Sequence, residues 1–518
     1  MRTMTALLQS RQPTGLTMKS KALLPGVLLC VALYVYFHLF ALATPILRDG
    51  DQWLFAQSGA RIVAGQLPYR DFLEMLTPGI DLVYACSFML FGQRFVVANI
   101  LVLLVALVFV YLVTSIARAV LDDELTLLSV AITVFIGLRL TMDASHHWFS
   151  AVAAFAALAS VLRTCSLARI MMAGAFCGLS SLFTQTRGLA VVIALAAFFW
   201  WETHDREAAD HVFRNRLLVL LAGYATVLGA GLSYFLLIAG PYTLFDTTVL
   251  FPVKYYGSYN AASRFWEPLA EWSKNREHFP GFIAALFLHA LPLAYFVFPF
   301  DIKGDTACST EAKAKLVLIA AVGSALFIEV INSASLIRLA VTSALAIILA
   351  LWMLNKHGLL PKRVAVTGLL VLVGLSVVET AMTQRSVLAV LDLPTGRAAF
   401  LKRGEGWYED CLYLARHTKP GDWYFGDDDF GFPLKLRNPA FVPYVTDTDL
   451  TRPEHVQELI KSLERYQVPY ISIESEYRKM GVVGQDHLQP LREYIETHYE
   501  PAYHDFMRRR DTFGPTNK

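Results

Sequence analysis

The stretch ALLPGVLLCVALYVYFHLFALA, residues 22 to 43, carries no formal charge, and RDGDQWLFAQSGARIVAGQLPYRDFLEMLTPG follows almost at once, from Arg48 to Gly79. About 20 apolar residues in a helix cross the roughly 30 Å of bilayer hydrocarbon, where an open backbone would find no water to bond. The run exceeds the roughly 7–15 apolar residues of a secretory leader. It therefore reads as a first spanning helix, with the basic segment before it held on the cytoplasmic side.

Similar runs recur along the chain. Of its 518 residues, 55% are hydrophobic and 17% charged, and the mean hydropathy is +0.45. An average soluble protein is about 25% charged. Spanning helices are expected at 22–43, 94–117, 124–141, 148–163, 170–184, 188–201, 215–239, 279–299, 315–332, 337–354 and 362–382, about eleven crossings of the helical rather than the barrel kind. Basic residues fall on alternate loops, at Arg118, Arg163, Arg169, Arg214, Arg216, Lys313, Lys315, Lys356 and Lys362. That places the N-terminus in the cytoplasm and the opposite loops outside. The run Ile80–Gly92 is too short to span and reads as a re-entrant or interfacial helix, with Pro78 and Gly79 bending the chain into it.

From about residue 384 the texture changes. In RPEHVQELIKSLERYQVPYISIES, Val456, Leu459, Ile460 and Leu463 recur at helical spacing, and a strand follows. GDWYFGDDDFGFP reads as strand and loop, so a βαβ-like unit is expected, with a further helix in LQPLREYIETHYEPAY. The chain thus divides into a transmembrane region over 1–383 and a small extracytoplasmic α/β domain over 384–518. A net charge of +2 gives no nucleic-acid footprint. The six cysteines match no metal or redox spacing.

Chemistry is expected in the first outer loop. Phe55, Ala56, Ala60, Ile62 and Val63 form the apolar side of an interfacial helix that Gly65 ends. Around it stand Asp49, Asp51, Arg61, Arg70, Asp71 and Glu74. A carboxylate at the outer mouth of a membrane cavity can take a proton from an attacking hydroxyl or amine, and a phosphate leaving group needs fixed positive charge. The plainer alternative is that these charges cap short helices and pair with one another.

The loop resembles that of the GT-C superfamily of membrane glycosyltransferases, in the bacterial branch of aminoarabinose transferases and protein mannosyltransferases (glycosyltransferase family 39). The resemblance rests on Asp51-Gln52, Ala60-Arg61-Ile62, Gly65, Pro68-Tyr69-Arg70-Asp71, Thr77-Pro78-Gly79 and Leu90-Phe91-Gly92. It implies a sugar donor linked to polyprenyl phosphate, an envelope lipid, glycan or protein as acceptor, a bacterial inner-membrane location, and Asp51 as the catalytic carboxylate, with Asp49 as the alternative. Gln52 departs from the Glu of many relatives. Asp49-Gly50-Asp51 also has an Asp-x-Asp look that admits a divalent cation, although relatives of this type need not bind one. No nucleotide cofactor is implied.

Other substrate-binding candidates lie on the same side. Asp143, His146 and His147 open a spanning helix, where two adjacent histidines are expected to diverge and not serve one ligand. Gln185 and Arg187 interrupt two apolar runs, and an intramembrane arginine is a functional suspect because its burial is costly. Lys254, Tyr255, Tyr256 and Tyr259 fall in the loop at 240–278, as a phosphate contact with sugar-stacking rings or as an aromatic belt. Glu329, Asn332 and Arg338 lie near two later helix ends, with a Glu329–Arg338 ion pair as the structural alternative to a phosphate clamp. Asp427, Asp428 and Asp429 read as a solvated turn. The rival functions are a transporter or flippase of a lipid-linked molecule, and a non-catalytic envelope-assembly protein.

Overall fold

The computed structural model describes residues 18–48, 50–139, 141–204, 209–256, 279–303, 308–331, 335–446, 448–473 and 487–510. Asp49, Tyr259 and Asn332 lie outside the described residues.

Helix α1 (Met18–Leu39) leads through the short strands β1 (Phe40–Ala41) and β2 (Thr44–Pro45) to α2 (Gln52–Val63) and α3 (Gly79–Phe91). The bundle follows as α4 (Val96–Ala117), α5 (Asp123–Ile132), α6 (His146–Leu162), α7 (Leu167–Phe183), α8 (Gln185–Thr203) and α9 (Ala209–Ile238). After α10 (Pro241–Phe245), it continues with α11 (Phe279–Ala290), α12 (Leu293–Lys303), α13 (Thr310–Val330), α14 (Leu336–Lys356) and α15 (Lys362–Arg385). This is a polytopic α-helical membrane protein.

The expected eleven crossings are corrected. Among the described residues six helices are long and apolar enough to span: Val96–Ala117, Gln185–Thr203, Asp210–Ile238, Phe282–Lys303, Leu336–Lys356 and Lys362–Arg385. Leu23–Leu39, His146–Leu162 and Leu167–Phe183 are shorter. At 1.5 Å per residue, 17 residues rise only about 25 Å, short of the hydrocarbon core. The run at 124–141 is a ten-residue helix passing into a π-helical segment, Thr133–Leu138. Helix α13 carries Glu311, Lys313 and Lys315 at one end and Glu329 at the other. Helix α14 is the most enclosed of the six, whereas α15 is almost bare and turns Leu370, Val371 and Val377 outward.

Close helix crossings rest on glycine. A Cβ on Gly174 would sit 2.1 Å from the Leu220 carbonyl oxygen, and one on Gly223 2.2 Å from that of Met171, so α7 and α9 pack backbone to backbone. Gly59 plays the same part between α2 and α3, where a Cβ would meet Tyr84 Cβ at 2.6 Å.

Beyond α15 the chain forms the hairpin β3 (Val387–Leu393) and β4 (Gly396–Leu401), helix α16 (Glu405–His417), strand β5 (Tyr424–Phe425) and the short α17 (Asp428–Gly431). Helix α18 (Pro453–Arg465), strand β6 (Tyr470–Ser472), helix α19 (Gln489–His498) and strands β7 (Tyr499–Tyr503) and β8 (Phe506–Arg509) complete it. The sheet order is β5-β6-β8-β7, with β5 and β6 parallel and the other pairs antiparallel. The parallel pair with α18 between is the expected βαβ unit. Val456, Leu459 and Leu463 of α18 are fully buried. This small α/β domain docks on the first loop: Leu47 N donates to the Ala399 carbonyl at 2.9 Å, and Gln57 Nε2 to that of Leu436 at 3.0 Å. Helix α2 is therefore clasped by protein, with even Arg61 buried and bonded to the Ala440 carbonyl at 3.0 Å. At its end Gly65 takes φ +90° after the last helical turn, a conformation that favours glycine.

Candidate active site

Asp51 stands at the entrance to α2, exposed, and its side chain does not cap the helix. The turn before it needs glycine: Gly50 has φ +149°, and a Cβ there would meet Asp143 Cβ at 3.3 Å and Oδ2 at 3.4 Å. The loop of Asp51 and the loop of Asp143 are thereby pressed together. Gln52 stitches them, its Nε2 donating to the Arg48 carbonyl at 3.2 Å while its Oε1 accepts from Ala144 N at 3.3 Å. An ionised glutamate could accept but not donate, so the departure at position 52 has a structural use. Tyr84 of α3 holds the second loop by donating to the Ala144 carbonyl at 3.1 Å.

Asp143 accepts from Ser145 Oγ at 2.7 Å and Ser145 N at 3.3 Å. Burial, and then the neighbouring Asp51 carboxylate, push its pKa up to about 7 against those hydrogen bonds. Next along the chain His146 and His147 open α6. Their ring centroids lie 3.9 Å apart, and ligand atoms of Asp51, His146 and His147 all fall within 4.8 Å of one another. The expectation that the two histidines diverge is thus corrected: in the first turn of the helix both rings lie near the same carboxylate. His146 Nδ1 bonds Thr184 Oγ1 at 2.8 Å, and His147 Nδ1 is buried without a partner among the described residues.

Arg187, at 1% exposure, is the most deeply buried charge of the group. Its Nη1 donates to the His147 carbonyl at 2.9 Å and to Ser150 Oγ at 2.7 Å, and Glu329 of α13 receives Nε and Nη2 at 3.3 Å each. The alternative pairing of Glu329 with Arg338 is not formed. Arg338 instead donates to Tyr256 OH at 2.9 Å, and its charge bears on both histidines.

The remaining candidates lie elsewhere. Arg70 and Asp71 pair with each other at 2.6 Å, which holds the Asp71 carboxyl below its usual range. Gln185 Nε2 donates to the carbonyls of Met75 and Thr248 at 3.1 and 2.8 Å. Lys254 points outward in the π-helical turn Pro252–Tyr256.

Sequence reasoning passed over Arg48, although it directly precedes the Asp-Gly-Asp turn. With Arg403, Trp407, Asp427 and Asp429 it lines a cavity of about 530 Å³ between the first loop and the C-terminal domain. Burial, then repulsion by Arg403, bring its pKa down to about 10. The Trp407 indole N–H is buried there with no partner among the described residues. Asp427 and Asp429 line this cavity, and Asp427, itself exposed, caps α17 by accepting from Asp429 N at 3.0 Å.

No protein-family model matches the chain, and no curated protein does. Solved structures do. The Archaeoglobus fulgidus oligosaccharyltransferase in complex with Zn and sulfate superposes with a TM-score of 0.51 at 14% identity, over 91% of this chain and 71% of that one. The chain therefore shares the overall fold of that archaeal enzyme. The same archaeal enzyme tethered to an acceptor peptide gives a TM-score of 0.50 at 13% identity, over 88% and 70%. ArnT from Cupriavidus metallidurans bound to undecaprenyl phosphate, at 14% identity over 89% and 97%, reaches 0.46, below the level that establishes a common fold. At such identities the likeness speaks for the fold alone.

Proposed function

We propose that this protein is a membrane glycosyltransferase that moves a sugar from a polyprenyl-phosphate donor to an envelope lipid, glycan or protein, with Asp51 as general base. One observation carries this reading: an exposed carboxylate stands by the buried Asp143, His146, His147 and Arg187, with the half-buried Arg338 acting on both histidines. Burying so many ionisable groups in one place is costly, and it is worthwhile where charge must be stabilised.

In the proposed step the acceptor oxygen or nitrogen attacks the anomeric carbon and gives its proton to Asp51. The new bond forms as the anomeric C–O bond to phosphate breaks, polyprenyl phosphate leaves, and the carbon inverts. Arg338 would steady the leaving phosphate; Arg187, engaged on three sides, positions the His147 turn and Ser150. The cavity of Arg48, Arg403 and Trp407, reached by the same first loop that carries Asp51, would seat the acceptor, with an indole face for a sugar ring and N–H donors for its oxygens.

Two imidazoles and a carboxylate suit a divalent ion such as zinc or manganese, and the unpartnered His147 Nδ1 fits that use. Such an ion, if bound by Asp51, His146 and His147, would supply positive charge beside the reacting phosphate. Chelation then slows transfer and zinc or manganese restores it; an unchanged rate leaves the cluster as a hydrogen-bonding network only.

Basic residues gather at the far ends of the helices from Asp51, at Arg163, Arg216, Lys313 and Lys362. This supports an inner-membrane protein with a cytoplasmic N-terminus, Asp51 outside and an extracytoplasmic domain over 384–518 following a transmembrane region over 1–383. The decisive assay compares wild type with Asp51→Asn on a polyprenyl phosphosugar. Loss of transfer by about 10² to 10⁴-fold with donor binding intact supports the base; undiminished transfer removes it.

A further inference from the structure

We propose that the end of the bundle opposite Asp51 holds a binding site for one anionic phospholipid. The placement follows from the helices themselves. Helices α6 and α8 begin at the His146 and Arg187 group and run 17 and 19 residues away from it. Helix α13 runs the other way and ends with Glu329 on Arg187. At the distant ends of these three, roughly 25 Å from Asp51 at 1.5 Å per residue, a second cavity of about 780 Å³ opens.

Its charged lining is Arg163, Arg216, Lys313 and Lys315 against Glu202 and Glu311. Two of the cations are matched within the cavity: Arg216 pairs with Glu202 at 2.5 Å, and Lys315 with Glu311 at 2.6 Å. Arg163 and Lys313 have no side-chain hydrogen-bond or ion-pair partner among the described residues. Two positive charges are left over, one from the end of α6 and one from the start of α13.

The wall between them is apolar. Phe198 and Leu318 are buried or nearly so, and Trp201 faces outward at the rim. A free anion would leave this surface wet, and an uncharged lipid would leave the two cations unanswered. A diacyl phospholipid with an anionic headgroup answers both: phosphate oxygens take the Arg163 fork and the Lys313 ammonium, and acyl chains lie along the aromatic wall. Basic pockets between spanning helices at a membrane face, flanked by tryptophan, suit such headgroups. A lipid held there braces α6, α8 and α13, the helices whose other ends carry His146, Arg187 and Glu329. The site requires only that the chain spans a membrane and stands apart from the transferase reading.

The test uses the full chain in a neutral detergent, titrated with phosphatidylglycerol, phosphatidylcholine or glycerol 3-phosphate. Native mass spectrometry reads retention and a melting curve reads stabilisation. We expect one phosphatidylglycerol per chain and a melting point raised by it but not by phosphatidylcholine. Arg163→Gln with Lys313→Gln should weaken retention at least tenfold, while Arg163→Lys with Lys313→Arg keeps it. Both side chains are unpaired among the described residues, so the folded chain should survive either pair of changes. Equal retention of phosphatidylcholine, equal affinity for glycerol 3-phosphate, or undiminished retention by the Gln pair would each overturn the proposal.

Discussion

The two ends of the helical bundle use the same residue types in opposite ways. At the Asp51 end, Arg187, His146 and Asp143 are buried and bonded to a backbone carbonyl and to hydroxyls, and His147 is buried beside them. At the far end, Lys362 with Glu124 and Lys315 with Glu311 make pairs in which at least one partner is open to solvent. A charge that water can reach costs little to place and contributes little; a buried one must have every bond supplied by the fold. The contrast separates charges that orient the protein in a membrane from charges assembled for chemistry.

The contrast can be broken most severely at Arg187. Glu329→Gln, by leaving Arg187 buried and uncompensated, is expected to destabilise the protein by about 3–5 kcal/mol in thermal or denaturant unfolding. A shift as small as that of a surface pair would mean that the Asp51 end is as wet as the other. Next is Gly59→Val, which forces α2 from α3 at a crossing with no room for a side chain and should cost about 1–3 kcal/mol. Gly50→Ala combines positive φ with crowding of Asp143. It should lower transfer more than it lowers the melting point, because the damage falls between Asp51 and Asp143. Lys362→Gln at the far end should change stability by less than about 1 kcal/mol.

The C-terminal domain offers an exposed counterpart that senses pH. Arg509, whose side chain is buried, and Tyr494 bond the Glu464 carboxylate and bring its pKa down to about 2. A depressed carboxylate contributes stability above its unfolded pKa near 4.5, and that contribution disappears as pH falls toward 2. Glu464→Gln should therefore flatten this part of the acid-unfolding curve and leave stability near neutral pH the more affected. An identical acid limb in the variant would assign it to other carboxylates.

Much of this was legible in the sequence because it is local. The apolar runs, the stop of α2 at Gly65, and the amphipathic α18 followed by β6 each follow from spacing within a dozen residues. Long-range closure was not. The β3–β4 hairpin joins the first loop through Leu47 and Ala399, whose separation in the chain hides the contact. Arg48 gained its place only when Arg403 and Trp407 folded over it. Helical geometry alone predicts that His146 and His147 diverge, yet their ring centroids lie 3.9 Å apart in the first turn of α6. The count of eleven crossings failed because hydropathy does not register that α6 and α7 are too short, or that α5 gives way to a π-helical segment after ten residues.

The central claim is that Asp51 acts on a lipid-linked sugar, and mass spectrometry of the bound lipid tests it most directly. Full-length protein, extracted mildly from its native membrane and loaded with polyprenyl phosphosugar, should release polyprenyl phosphate on addition of acceptor, whereas Asp51→Asn should retain the intact donor. Retention of bulk phospholipid alone, or equal release by Asp51→Asn, would contradict the account.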